Sequence, residues 1–292
     1  MKFTEEWDRE VRPDEPLGPR VWLGIGGPAR FFAEPESVEL LRRLATEAKA
    51  AGLAVRILGD GSNLLVREAG VDGLVLRLAA ATGEHFSRDG QRVTVGAGAK
   101  LSHAVMESVA AGLAGLEHLV GIPGTVGGAV VGNVSADGRD IGSVVESVEV
   151  MNADASPRTI PQEEIGFSHR KSTLTGLTVL AVTFALEPAD EATLTKRMQK
   201  LWIGRNASRS HDEQRVAMPF IDPDGMPAAE LIRTVGMAGV REGAVSLDPQ
   251  PPHYLVAEDG ATSDQCLGLI ERVREQVLLQ TGIDLQLNLQ IW

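Results

Sequence analysis

Eight glycines fall between positions 115 and 142, and an earlier group, Gly59-Asp60-Gly61-Ser62-Asn63, directly follows the apolar run Ala54-Val55-Arg56-Ile57-Leu58. Glycine turns with positive φ and lets a ligand approach the backbone without meeting a Cβ. Successive main-chain N–H groups in such turns form concave anion sites. Ser62 and Asn63 add side-chain donors. Pro123 pre-sets one turn of Gly121-Ile122-Pro123-Gly124-Thr125-Val126-Gly127-Gly128-Ala129, which Asn133 follows. Neither loop has the Gly-Lys-Ser/Thr of a Walker A loop or the Gly-x-Gly-x-x-Gly fingerprint with its downstream acid. Each loop alone reads equally as a tight turn. Two in one chain suit a pyrophosphate, and so a dinucleotide.

The rest of the chain narrows the class. Its 292 residues contain 28 Lys and Arg against 40 Asp and Glu, a formal charge of −12. That balance argues against a general binder of nucleic acid or membrane surfaces. The single cysteine, Cys266, excludes an intrachain disulfide framework and a Cys-rich zinc site, and no metal site is expected. Residues 1–16 hold no apolar run, and no stretch approaches ~20 apolar residues. The expectation is a cytoplasmic globular protein without secretory signal or membrane span.

Residues 1–20 read as a polar arm. Leu40, Leu41 and Leu44 recur at helical spacing between Ser37 and Gly52. Residues 54–58, 74–78, 93–95, 144–151 and 178–186 read as strands, with Asp89-Gly90 a turn, and 101–111 as a helix. Pro188-Ala189-Asp190 reads as a boundary, followed by a basic helical stretch over 191–209. A helix over 263–280 carries Cys266, Ile270, Val273 and Val277 on one face. Leu285, Leu287, Leu289 and Ile291 alternate with Gln286, Asn288 and Gln290, which predicts a final strand.

The loops, with Ile25-Gly26-Gly27-Pro28-Ala29, Gly115-Leu116-Glu117 and Gly166-Phe167-Ser168-His169-Arg170-Lys171-Ser172, make the chain similar to the UDP-N-acetylenolpyruvoylglucosamine reductase (MurB) family. The resemblance covers most of residues 20–292. It implies an α+β chain: a two-domain FAD-binding fold of the MurB and vanillyl-alcohol-oxidase type, with a C-terminal α+β substrate-binding domain. The expected domains are 1–80 and 81–188 for FAD and 189–292 for substrate. Gly59, Asp60, Gly61, Ser62 and Asn63 would line the FAD, together with Gly121, Ile122, Pro123, Gly124, Thr125, Gly127, Gly128, Ala129 and Asn133. The implied reaction passes a hydride from NADPH through FAD to an enolpyruvyl double bond on a UDP-sugar. The substrate class is a UDP-sugar or another anionic small molecule, with oligomeric state open.

The resemblance also bears on the substrate side. Arg170 matches the family arginine, and His169 stands where the family has tyrosine. His169 reads as a hydrogen-bonding spacer or a proton source. Ala217-Met218-Pro219-Phe220-Ile221-Asp222-Pro223 corresponds to the family's Gly-Ser/Cys-x-Phe-Lys-Asn-Pro, so Met218 holds the proton-donor position. Asn288 holds the position of the catalytic glutamate, while Ile221 and Ala238 replace lysines. A thioether has no proton to give, and an amide is no general acid. The alternative reading is therefore a paralogue with an altered substrate or without the standard activity.

Overall fold

The computed structural model describes residues 7, 10–78, 85–152, 155–207, 215–223 and 225–292. Residues 1–6 of the expected arm, the expected 80/81 boundary and Arg209 of the basic stretch lie outside them. Strands Val11–Pro16, Pro28–Ala33, Val71–Arg77 and Ala54–Leu58 form one sheet in that order. The expected arm is therefore partly an edge strand, and Trp7 is buried at 4% exposure because its indole joins the core. The chain divides into two compact units.

The first unit comprises Met1–Pro13, Phe31–Asp60 and Asp72–Asn206. Helix α1 (Val38–Ala50) is capped by Ser37, whose hydroxyl accepts the Leu40 N–H at 3.1 Å. It buries Leu41, Leu44, Ala45 and Ala48. Ala54–Leu58 pairs parallel with residues 73–77. A five-stranded antiparallel sheet follows, in the order Pro157–Pro161, Val145–Met151, Thr178–Ala185, Arg92–Gly96, Phe86–Asp89. Val148, Val182 and Val93 on its strands are fully buried. Against this framework lie α2 (Leu101–Ala110), the short α3 (Val126–Val131) and α4 (Glu191–Ala207). The expected boundary at 188–190 is absent. Glu187–Pro188 pairs with Leu113–Ala114, and the Ala189 N–H donates to the Gly112 carbonyl. Nearly all of α4 belongs to this unit, not to the last third of the chain.

The second unit comprises Asp14–Arg30, Gly61–Val71 and Ala207–Trp292. Its antiparallel sheet runs Val216–Ala217, Leu255–Ala257, Val245–Leu247, Arg241–Glu242. Helices α5 (Ala228–Thr234) and α6 (Ser263–Thr281) complete it. Thr262 and Gln265 form a capping box at the start of α6, and Gly282 ends it in the left-handed region. The expected apolar face is buried as read: Cys266, Ile270, Val273 and Val277, with Leu269. Burial pushes the Cys266 thiol up to about 12, so it is an inert core group.

The final strand is shorter than the alternation predicts. Only Gln290–Ile291 forms a ladder, parallel to Leu64–Leu65. Upstream, the N–H groups of both Asn288 and Leu289 converge on the Pro219 carbonyl, at 2.8 and 3.3 Å. This irregularity breaks the period of two, and Leu287 is exposed instead of buried.

Candidate functional site

Gly59, at the start of the first glycine loop, meets the second loop inside the first unit. A Cβ at Gly59 would stand 2.7 Å from the Thr125 hydroxyl, so a side chain there would wedge the loops apart. Gly121 and Gly124 turn with φ of +75° and +115°. Among the described residues, the main-chain N–H groups of Gly124 and Thr125 have no acceptor. Nor do those of Asp60, Gly61, Ser62 and Asn63 along the first loop. Buried backbone donors are rarely left unpaired. Runs of such donors in glycine turns fit an anionic ligand such as a pyrophosphate.

The adjacent glycines of the second loop have different jobs. Gly127 packs against the protein: a Cβ would stand 2.9 Å from Ala97 Cβ and 3.1 Å from its carbonyl. Gly128 is exposed, and a Cβ there would meet nothing nearer than Thr125 Oγ1 at 3.4 Å. That hydroxyl caps α3 by accepting the Gly128 N–H. Ile122 and Pro123 are half-buried and Ala129 is buried.

Charged groups to which the sequence reading gave no role at the site hold this loop. Glu117 is fully buried. Its carboxylate accepts the Gly115 N–H at 2.7 Å and meets Arg139 at 3.3 Å and Arg197 at 3.0 Å. Burial opposes its ionisation, but the main-chain donors and Arg139 outweigh that and hold the carboxyl below its ordinary range. Arg205 donates to the His118 carbonyl at 2.6 Å and to the Val120 carbonyl, and pairs with Asp137 at 2.8 Å. Two arginines of α4 thus tie that helix to the residues preceding Gly121. Their eight-residue spacing on a basic helix was the available signal. His118 is 1% exposed, and among the described residues neither of its ring nitrogens has a hydrogen-bond partner. Burial, then the Arg139 charge, lowers its pKa.

Asn133 has no exposed surface. Its side-chain oxygen accepts the Gly142 N–H at 3.0 Å, and its NH2 donates to the Ser168 carbonyl at 2.8 Å. Ser168 begins the two-residue turn His169-Arg170 between paired residues 167–168 and 171–172. Ser172 Oγ donates to the Val131 carbonyl at 2.7 Å, pinning the other side of the hairpin to the end of α3. Arg170 sits at φ +57°, a left-handed conformation costly for a residue with a Cβ. Its backbone is held in that place by the hairpin and by Asn133.

In the second unit the structure brings Asn63, Met218 and Asn288 together. Asn63 Oδ1 accepts the Met218 N–H at 2.9 Å, and Asn63 Nδ2 donates to the Asn288 carbonyl at 3.0 Å. Asn288 Nδ2 donates to the Met218 carbonyl at 3.2 Å. Ile221 and Phe220 are buried, and Asp222 accepts the first N–H of α5 from Ala228 at 2.8 Å. Gly61 turns at φ +63°, where a Cβ would stand 2.9 Å from the Arg20 carbonyl. Among the described residues no cluster of His, Cys, Asp and Glu fits a metal ion, and no helix is long and apolar enough to cross a membrane.

Comparison with known proteins gives the class first: residues 29–160 match a family model described as an FAD binding domain. Residues 209–292 match that of the UDP-N-acetylenolpyruvoylglucosamine reductase C-terminal domain. A UDP-N-acetylenolpyruvoylglucosamine reductase of Rhodopirellula baltica is 60% identical over 290 residues, 99% of this chain and 95% of that one. The Gluconobacter oxydans enzyme of the same name is 35% identical over 276 residues, 94% and 90% of the two chains. The crystal structure of UDP-N-acetylenolpyruvylglucosamine reductase from Thermus caldophilus matches with a TM-score of 0.81 at 33% identity, covering 97% and 98%. The chain carries an FAD-binding domain and has an α+β fold. It belongs to the UDP-N-acetylenolpyruvoylglucosamine reductase family.

Proposed function

We propose that this chain is an FAD-dependent reductase that uses NADPH to saturate the enolpyruvyl ether of UDP-N-acetylglucosamine, giving UDP-N-acetylmuramate for peptidoglycan synthesis. The observation that carries the reading is the 60% identity across 99% of the chain to a relative named for that activity. It favours the reductase over a paralogue with another substrate.

The residues divide the work. Gly59, Asp60, Gly61 and Ser62, with the main chain of Asn63, receive the cofactor's phosphates on unpaired N–H groups. Gly124 and Thr125 do the same from the second loop, to which Gly121, Ile122, Pro123, Gly127, Gly128 and Ala129 give its shape, braced by Asn133. FAD, when bound, supplies hydride transfer from NADPH to the substrate's terminal vinyl carbon. Negative charge then grows on the enol and carboxylate, where electrostatic stabilisation lowers the barrier. Arg170 meets that carboxylate, and a guanidinium does so bidentately. The adjacent carbon then needs a proton. Met218 has none to give, and Asn288 can donate a hydrogen bond but not act as acid. Proton delivery is accordingly the slow half of the cycle. Residues 209–292 supply most of the substrate side and residues 29–160 most of the cofactor side, a division that the two family models support.

A paired assay tests the reading. Purified protein should show a flavin spectrum, and NADPH oxidation should depend on added UDP-N-acetylglucosamine enolpyruvyl ether. Flavin without substrate-dependent oxidation would refute it.

A further inference from the structure

We infer that Asn63 is a positioning residue for the substrate half-reaction. It acts through the main chain at 218 and 288, not as a side-chain donor to the cofactor. This rests on the proposed reductase reading, which makes those two positions the site of proton delivery.

The geometry is a closed ring of three side-chain and main-chain groups. The Asn63 amide spends its oxygen on the Met218 N–H at 2.9 Å and one N–H on the Asn288 carbonyl at 3.0 Å. The Asn288 amide returns a bond to the Met218 carbonyl at 3.2 Å. Met218 is thereby held at both its N–H and its C=O by the two asparagines. Only an amide serves at 63, since one end must accept and the other donate.

Three features show that the ring holds the segment against its alternatives. Met218 lies just beyond the two-residue strand Val216–Ala217, so no ladder continues through it. Residues 287–289 run past it irregularly, with two N–H groups converging on the Pro219 carbonyl. Asn63 itself is anchored, because its carbonyl accepts the Gln290 N–H at 3.1 Å and Leu64–Leu65 pairs with Gln290–Ile291. Asn63, at the end of the first glycine loop, is thus keyed to the 218 and 288 positions within the second unit.

The ring also settles the orientation of Asn288. Its Nδ2 faces the Met218 carbonyl, which leaves Oδ1 as the one amide atom without a protein partner among the described residues. An acceptor at this position can hold a water, which can serve as the proton source that Met218 and Asn288 lack. Loss of Asn63 removes the bonds to the Met218 N–H and the Asn288 carbonyl, which leaves the pair held to each other but not to the first loop, and a misplacement of about 1 Å at a reacting group costs on the order of 100-fold in rate.

The test uses the FAD-loaded Asn63→Ala and Asn63→Asp proteins in stopped flow. Asn63→Asp keeps the shape and the bond to Met218 but turns a carboxylate oxygen toward the Asn288 carbonyl. We expect any loss in flavin content or in reduction by NADPH to be several-fold smaller than the loss in reoxidation. Reoxidation by UDP-N-acetylglucosamine enolpyruvyl ether should fall roughly 10- to 100-fold at saturating substrate. The solvent deuterium isotope effect on reoxidation should rise, which a merely structural role would not produce. Unchanged reoxidation in Asn63→Ala, loss of flavin in both variants, or equal slowing of both half-reactions would overturn the assignment. Wild-type protein whose reduced flavin ignores the sugar nucleotide would instead overturn the reductase reading.

Discussion

Gly127 and Gly128 are neighbours on the same short helix, yet the structure assigns opposite consequences to a valine at each. At Gly128 the new Cβ meets only Thr125 Oγ1 at 3.4 Å, an ordinary contact. Valine also suits a helix slightly better than glycine, by a few tenths of a kcal/mol. The ligand-free Gly128→Val protein should therefore unfold within about 2 °C of wild type. At Gly127 the Cβ would stand 2.9 Å from Ala97 Cβ, whose carbonyl also accepts the Gly127 N–H at 2.9 Å. Overpacking of that kind costs about 1–3 kcal/mol, or several degrees in Tm. FAD reverses the ranking. Saturation at ~100 times Kd stabilises a protein by about 2.7 kcal/mol. Wild type should gain that increment, and Gly128→Val should lose most of it because the branched side chain covers a ligand-facing backbone. Thermal unfolding of each protein with and without FAD reads both effects. A full FAD-induced shift in Gly128→Val would show that the exposed face of this loop does not meet the cofactor. An apo Tm as low as that of Gly127→Val would refute the packing argument.

Other consequences are equally open to measurement. Arg170→Ala should leave the flavin spectrum intact and slow substrate-dependent reoxidation by roughly 10- to 100-fold, the worth of a charge-assisted pair; equal loss of flavin would assign Arg170 a structural role. Arg170→Gly should be about 1 kcal/mol more stable than Arg170→Ala, since only the former escapes the cost of φ +57°, and denaturant titration compares them. Met218→Ser combined with Asn288→Glu should raise the reoxidation rate without changing flavin reduction, whereas wild-type reoxidation already as fast as reduction would remove the reason for expecting it. His118 is held neutral by burial and by Arg139, so its pKa lies below its unfolded value. The unfolded chain takes up the proton first as pH falls below ~6.5, so this contribution is present above that value and is lost on acidification. Tm should drop more between about pH 7 and about pH 5 in wild type than in His118→Phe, and parallel curves would show that His118 titrates normally.

Local rules made much of this fold legible before any tertiary contact was known. The 263–280 helix declared itself through Cys266, Ile270, Val273 and Val277, and all four are buried. The Ser37 cap and Gly52 bracketed the first helix for the same reason: capping and periodicity are properties of neighbouring residues. The glycine loops were legible because a positive φ and an approachable backbone both require glycine there. What remained hidden depended on partners far away in the chain. Helix α4 looked like the start of a last domain. It belongs with the first unit because Arg197 and Arg205 find Glu117 and the carbonyls of 118 and 120. The closing alternation promised a full strand, but the Pro219 carbonyl captures two successive N–H groups and breaks it. Asn63 looked like one more donor in a phosphate loop. Its amide meets residues 155 and 225 positions away in the chain. An asparagine offers the same donor and acceptor to every partner, and only the tertiary fold decides which ones are within 3 Å.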